Sequence, residues 1–185
     1  MKKHIPLTIS ITSVLLASIC AIANASAQTQ FSTFTGPNGK FSIGHPSDWL
    51  EHQVILLPSL PPGSIFTSPN DMHTNVTVSY FPNATLLFNN PDIATLLSTF
   101  VNYLQRHNNA TINNPIDCNT YKVENNRACT ATVQIVGFDG TQFQKMALWT
   151  SINGTIYALQ FMDTQADFNQ TLPVFLQMLL TFHPK

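Results

Sequence analysis

Asp139-Gly140 and Asn153-Gly154 each stand between two runs of alternating apolar and polar residues. Both dipeptides readily supply the positive φ that a two-residue hairpin turn needs. They fix three consecutive strands, Cys129 to Val136, Gln142 to Ile152 and Thr155 to Met162, as an antiparallel meander. A further strand, Tyr121 to Glu124, leads in through a turn at Asn125-Asn126. Sequential antiparallel pairing needs no crossover helix, so this half of the chain is not a run of βαβ units.

The first half supplies more strands and one helix. Phe31 to Thr35 turns through Gly36-Pro37-Asn38-Gly39 into Phe41 to His45, where Phe41, Ile43 and His45 share one face. Pro46 ends that strand, having no N–H for a ladder, and Trp49 just beyond it is placed to plug one end of a core. Val54 to Leu57 is an apolar run, Pro58 to Pro62 an ordered loop, Ile65 to Thr67 a short strand, and Asn75 to Phe81 an alternating one.

Asn90-Pro91-Asp92 reads as a helix start with Asn90 as cap. Ile93, Leu96, Leu97, Phe100, Val101 and Leu104 then make one apolar stripe, ending near His107-Asn108-Asn109. Thr164 to Asp167 resembles a capping box before a last helix. That helix should turn Phe168, Leu172, Phe175, Leu176, Leu179 and Phe182 inward, with a kink or restart at Pro173. Strands, helix, meander and helix in that order define an α+β domain, an antiparallel β-sheet with helices packed on its faces.

Residues 1–27 have the three regions of a secretory signal peptide: Lys2-Lys3, an apolar stretch from Ile5 to Ile22, and small-x-small sites ending at Ala25 and Ala27. Two other readings of this stretch are a retained membrane anchor over Ile5 to Ala23 and a lipid-modified Cys20, the latter opposed by Ile19 before it. Cleavage leaves residues 28–185 as a single domain without a transmembrane segment. Loss of Lys2 and Lys3 leaves six basic residues against nine acidic, a charge near −3. With no basic patch, nucleic acid is excluded as an expected partner. Charged residues are only 9% of the chain, so Asn, Gln, Ser and Thr must make its surface. The expected location is secreted, or at the extracellular face of the cell membrane.

Cys118 and Cys129 close a short loop, which in an exported chain is a disulfide; buried free thiols are the alternative. A turn at Asn125-Asn126 pairs Lys122 with Cys129, so Cys118 must reach its partner from a bend, for which Pro115 is at hand. Five Asn-x-Thr sequons, at Asn75, Asn83, Asn109, Asn153 and Asn169, are N-glycosylation candidates. A chain this rich in Asn and Thr gives about three by chance. Asn83 and Asn109, in expected loops, are the better placed.

Gly39-Lys40-Phe41-Ser42-Ile43-Gly44-His45-Pro46-Ser47-Asp48-Trp49 resembles the "G-x-F-x-I-x-Y-P-x-x-W" opening of PsbP-like domains, with His45 in place of the usual aromatic. The Trp149 strand before Asn153-Gly154, the Tyr157 strand after it and the closing Leu172-Pro173 to Phe182 helix are similar to that family's C-terminal half. The likeness covers most of residues 31–183 and looks closest to short exported archaeal forms. It implies an α/β/α sandwich and a non-enzymatic accessory or binding role, in assembly or stabilisation of a membrane-surface protein complex, with the chain acting as a monomer.

The residues themselves show no nucleophile elbow, zinc-protease motif, phosphate loop or dinucleotide fingerprint, and call for no cofactor. His45 is expected to be structural. His52 and His73 approach it only if the fold brings their strands together, and Asp48, Asp71 and His73 offer loop ligands. Two expectations follow. An accessory domain shows an exposed apolar patch and no deep polar pocket. An extracellular small-ligand or metal-ion binder (Ca, Mn, Zn or Cu) shows a cavity near His45, His52 or His73, roofed by the Pro58–Pro62 loop.

Overall fold

The structure is a computed structural model that describes residues 29–54, 61–82 and 92–185. The expected signal peptide, residues 55–60, Asn83 and the Asn90-Pro91 cap lie outside the described residues. Two sheets are present among those described. The smaller consists of β1 (Phe31–Thr35), β2 (Phe41–Pro46) and β10 (His183–Pro184), in the order β1-β2-β10. Its β1–β2 turn carries positive φ at Asn38 (56°) and Gly39 (64°), as the Asn-Gly pair dictates.

The larger sheet contains β3 (Leu50–Val54), β4 (Gly63–Thr67), β5 (Asn75–Phe81), β6 (Thr111–Val123), β7 (Asn126–Val136), β8 (Gln142–Ile152) and β9 (Thr155–Thr164). Its order is β3-β4-β5-β9-β8-β7-β6, antiparallel throughout. The chain therefore has the expected α+β class, but the opening strands form a separate sheet with the chain end. Tyr157 Oη lies 3.1 Å from the carbonyl oxygens of both Lys40 and Lys185, tying the two sheets together.

Both faces of the large sheet are covered. Helix α1 (Ile93–Asn108) lies over β6, β7 and β8, burying Leu97, Val101 and Leu104 against Cys129, Ala131, Ala147 and Ala158. Helix α2 (Phe168–Leu180) and the small sheet cover the other face, where Phe161 stacks on Phe175 at 5.4 Å. Alternation along β9 separates the two cores: Tyr157, Leu159 and Phe161 face α2, while Ile156 and Ala158 face α1.

Several local expectations are corrected. Asp92 is the N-cap of α1, its Oδ2 accepting from Thr95 N at 3.1 Å. Helix α2 begins at Phe168, after Asp167, and not at the Thr164 box; Thr164 and Asp167 bond one another in the turn before it. The helix runs on across Pro173 as one element, and Met178 joins Phe168 and Phe175 as its fully buried residues. Leu172, Leu176 and Leu179 are only partly buried.

The β6–β7 turn falls at Glu124-Asn125, with φ of 45° and 67°, so Lys122 pairs with Arg127 and not with Cys129. From Asp117 to Tyr121, β6 then advances four residues while β7 advances two, from Thr130 to Ala128. That irregularity, beyond Cys118 and not at Pro115, sets Cys118 opposite Cys129. The two are joined as a disulfide with Cα atoms 4.0 Å apart.

Candidate functional site

The histidines do not assemble. His45 is buried on β2, stacked on Phe66 at 4.9 Å, with Nδ1 2.8 Å from the Pro46 carbonyl oxygen. Its Nε2 lies 2.7 Å from Glu51 Oε1, an ion-pair approach off the hydrogen-bonding direction. It is structural in its packing. His52 is an exposed residue of β3, and His73 packs its ring 5.2 Å from Phe143. No group of three potential metal ligands among the described residues contains a histidine.

One end of the large sheet collects what the histidines do not. The strand registers bring together the start of β5, the end of β9, the start of β8 and the end of β7. Here Asp71, from the loop before β5, meets Asp163 of β9 and Asp167 before α2, with one ligand atom of each within 4.8 Å of the others. Asp163 is fully buried; its oxygens accept from Thr164 N at 2.7 Å and from the Thr171 hydroxyl. Asp71 Oδ1 accepts from His73 N at 2.8 Å. Carboxylate oxygens grouped in this way suit a hard cation such as Ca²⁺. Asp71 was legible as a loop ligand; Asp163 and Asp167, remote in sequence, were not, and Asp48 is not part of the group.

The same end is apolar at its tip. Phe138, in the β7–β8 hairpin, is wholly exposed, Met72 is 80% exposed and Val136 52%. The His73–Phe143 contact holds the Met72 loop beside this hairpin. Asp139 at the tip is held below the ordinary carboxylate range by hydrogen bonds from Thr141.

At the opposite end, a groove of about 310 Å³ runs between α1 and the sheet, lined by Phe81, Leu96, Phe100, Tyr103, Trp149 and Ile156. None of His45, His52 and His73 lines this groove. Lys145, facing the same side of the sheet as Trp149, has its amine pushed down by burial; its Nζ donates to Gln160 Oε1 at 3.3 Å.

The sequons fall in different settings. Asn109 and Asn153 are exposed at positive φ, 49° and 51°. Asn75 opens β5 and donates to the His73 carbonyl at 3.0 Å. Asn169 is exposed on α2, but the Thr171 hydroxyl of its sequon is engaged by Asp163.

No protein-family model matches the chain, and no curated protein matches it. Solved structures do. Cyanobacterial PsbP (CyanoP) from Synechocystis sp. PCC 6803 superposes with a TM-score of 0.60 at 13% identity, covering 85% of this chain and 94% of that one. A protein of unknown function and putative regulator from Pseudomonas aeruginosa, PA94, gives 0.51 at 10% identity over 84% and 98%. LpqN of Mycobacterium tuberculosis, involved in cell envelope biogenesis, gives 0.50 at 12% identity over 83% and 89%. At these identities the likeness is one of fold: the chain has a PsbP-like α+β fold.

Proposed function

We propose that the chain is an exported, non-enzymatic PsbP-like accessory domain that binds a protein complex at the outer surface of the cell membrane. The observation that carries this reading is the apolar tip at the acidic end of the sheet, where Phe138, Val136 and Met72 stand in solvent. Exposed apolar residues clustered at one end serve contact with a partner rather than folding. The leader-like N-terminus and the disulfide support an oxidising, extracellular setting, and no helix among the described residues is long and apolar enough to cross a membrane. The test is crosslinking on the surface of cells that express the chain. Phe138→Ser with Met72→Ser should abolish a discrete crosslinked adduct while leaving the melting temperature unchanged; an undiminished adduct refutes the reading.

The alternative reading is a cation-binding protein, favoured by the Asp71–Asp163–Asp167 group. Thermal unfolding with Ca²⁺, Mn²⁺, Zn²⁺ and Cu²⁺ tests it. An ion at 100 times its dissociation constant adds about 2.7 kcal/mol, and Asp71→Asn should remove that gain.

A further inference from the structure

We infer that the cleft between helix α2 and the β6–β7 edge of the large sheet is a binding site for one neutral sugar ring. The proposal goes beyond the accessory-domain reading and does not depend on it. Strand pairing lays two rows of residues across this face. Asn114 of β6 stands beside Thr132 of β7 and Met146 of β8, and Asp117 beside Thr130 and Leu148. Helix α2 begins at Phe168 and packs over β9 and β2. Beside its first turn, the β6 and β7 ends of those rows line a cleft of about 280 Å³. That volume is just under the range of small-molecule sites, so it admits a single ring and not a chain.

The cleft has two kinds of wall. Phe168, Leu172 and Met146 make one side apolar, and Asn114, Asp117, Thr132 and Gln144 make the rest polar. Asp117 accepts from the Thr120 hydroxyl and from Asn119 N at 2.9 Å, and the Thr130 hydroxyl donates to the Asp117 carbonyl at 3.4 Å. Among the described residues, no hydrogen bond engages the side chains of Asn114, Thr132 or Gln144. The sealed side-chain polar atoms without a partner lie elsewhere, at His45, Ser64 and Trp149, so the Thr132 hydroxyl and the Gln144 amide are open to a guest. Each amide offers two N–H donors and a carbonyl acceptor, while the carboxylate only accepts. Adjacent hydroxyls of a sugar both donate and accept, which matches that set, and the C–H face of the ring matches the apolar wall. No Lys, Arg or His among the described residues lines the cleft, so an acidic sugar or a phosphate meets no counter-charge. Hydrogen bonds from Thr120 and Asn119 hold the Asp117 carboxyl below its ordinary range and keep it charged.

The experiment uses the full chain, made in a host that does not N-glycosylate so that Asn169 at the cleft is bare. Glucose, galactose, mannose and N-acetylglucosamine are titrated in turn, followed by the methionine methyl resonances. The Met146 methyl should move with at least one of them, while that of Met72, exposed outside the cleft, stays. Glucuronate, with Asp117 facing it, should bind about tenfold more weakly than the best neutral sugar. Cyclohexylmethanol, a ring of the same size with one hydroxyl, should not displace the sugar. Gln144→Ala and Thr132→Val should each weaken the sugar about fivefold, the worth of one net hydrogen bond. They lie on different strands, so a variant that fails to fold leaves the other to carry the test. An unmoved Met146 methyl with all four sugars at millimolar concentration overturns the proposal. So does glucuronate that binds as tightly as the neutral sugars, cyclohexylmethanol that displaces them, or undiminished affinity in a folded variant. The methyl glycoside of the bound sugar identifies its source: kept affinity assigns the site to the end residue of a sugar chain, lost affinity to a free sugar, and either upholds the proposal.

Discussion

Reduction of the Cys118–Cys129 disulfide should lower the melting temperature by about 6–11 °C. The bond joins residues 11 apart. Closing a loop of that size removes denatured-state entropy worth about 2.8 kcal/mol at 25 °C. For a chain of this length each kcal/mol moves the midpoint by about 2–4 °C. The assay is calorimetry of one protein, oxidised and then reduced under denaturing conditions and refolded in reductant, in a Cys20→Ser background so that no third thiol intervenes. Using the same sequence in both states avoids the cavity that alanine would leave, since Cys129 is 1% and Cys118 9% exposed. A drop below about 2 °C refutes the reasoning. It would mean that the Glu124-Asn125 turn already holds β6 and β7 together in the denatured chain, leaving the crosslink little entropy to remove.

Phe161→Ala should cost about 3–5 kcal/mol in urea unfolding, because the ring is fully buried between Phe175 and Phe168; Phe138→Ala, at the exposed tip, should stay within about 0.5 kcal/mol. Lys145→Met should stabilise by on the order of 1 kcal/mol at pH 7. Burial lowers the folded-state value of this amine below its usual 10.5, so the penalty is complete below the folded value, and the gain should vanish as pH rises through 10.5. Asp92, Asp117 and Asp139 are each lowered by hydrogen bonds, from Thr95, from Thr120 and Asn119, and from Thr141. Their contribution is present above the ordinary 3.8 and lost as pH falls through the folded values, so replacing all three by Asn should flatten the acid limb of a stability–pH curve.

Local turn chemistry made the meander legible: β8 runs Gln142–Ile152 as its alternation and two flanking Gly turns require. The first ten residues of β6 were not legible, because its register shifts at Ile112/Asn114, Asn114/Asp117 and Asp117/Tyr121 destroy any period of two. The same shifts decide the disulfide, whose partners a regular hairpin would have left apart. Asp71 was visible as a loop carboxylate, but its meeting with Asp163 depends on β5 pairing β9 across the chain, which no local signal carries. His45 was legible as a core residue from its place beside Phe41 and Ile43, while its approach to Glu51 arises only when β3 folds against the small sheet.

Alternation in the central strands carries more information than which residues are buried. On the α2 side β8 and β9 present Met146, Leu148, Tyr157, Leu159 and Phe161, and large rings from both helix and small sheet close over them. On the α1 side the same strands, with β7, present Ala131, Ala147, Ala158 and Cys129, with Trp149 as the one large ring of β7–β9 in that core. A helix laid on small residues and one tall indole cannot close evenly over both. Beside the indole, Phe100 and Leu96 of α1 line a groove that they leave open. The groove is therefore a consequence of residue size along one parity of the strands. Filling that parity, by Ala158→Phe beside the cross-strand partner Trp149, should crowd the α1 side and move the Trp149 indole N–H resonance, whereas Leu159→Phe on the other parity should disturb the α2 side and leave that resonance in place.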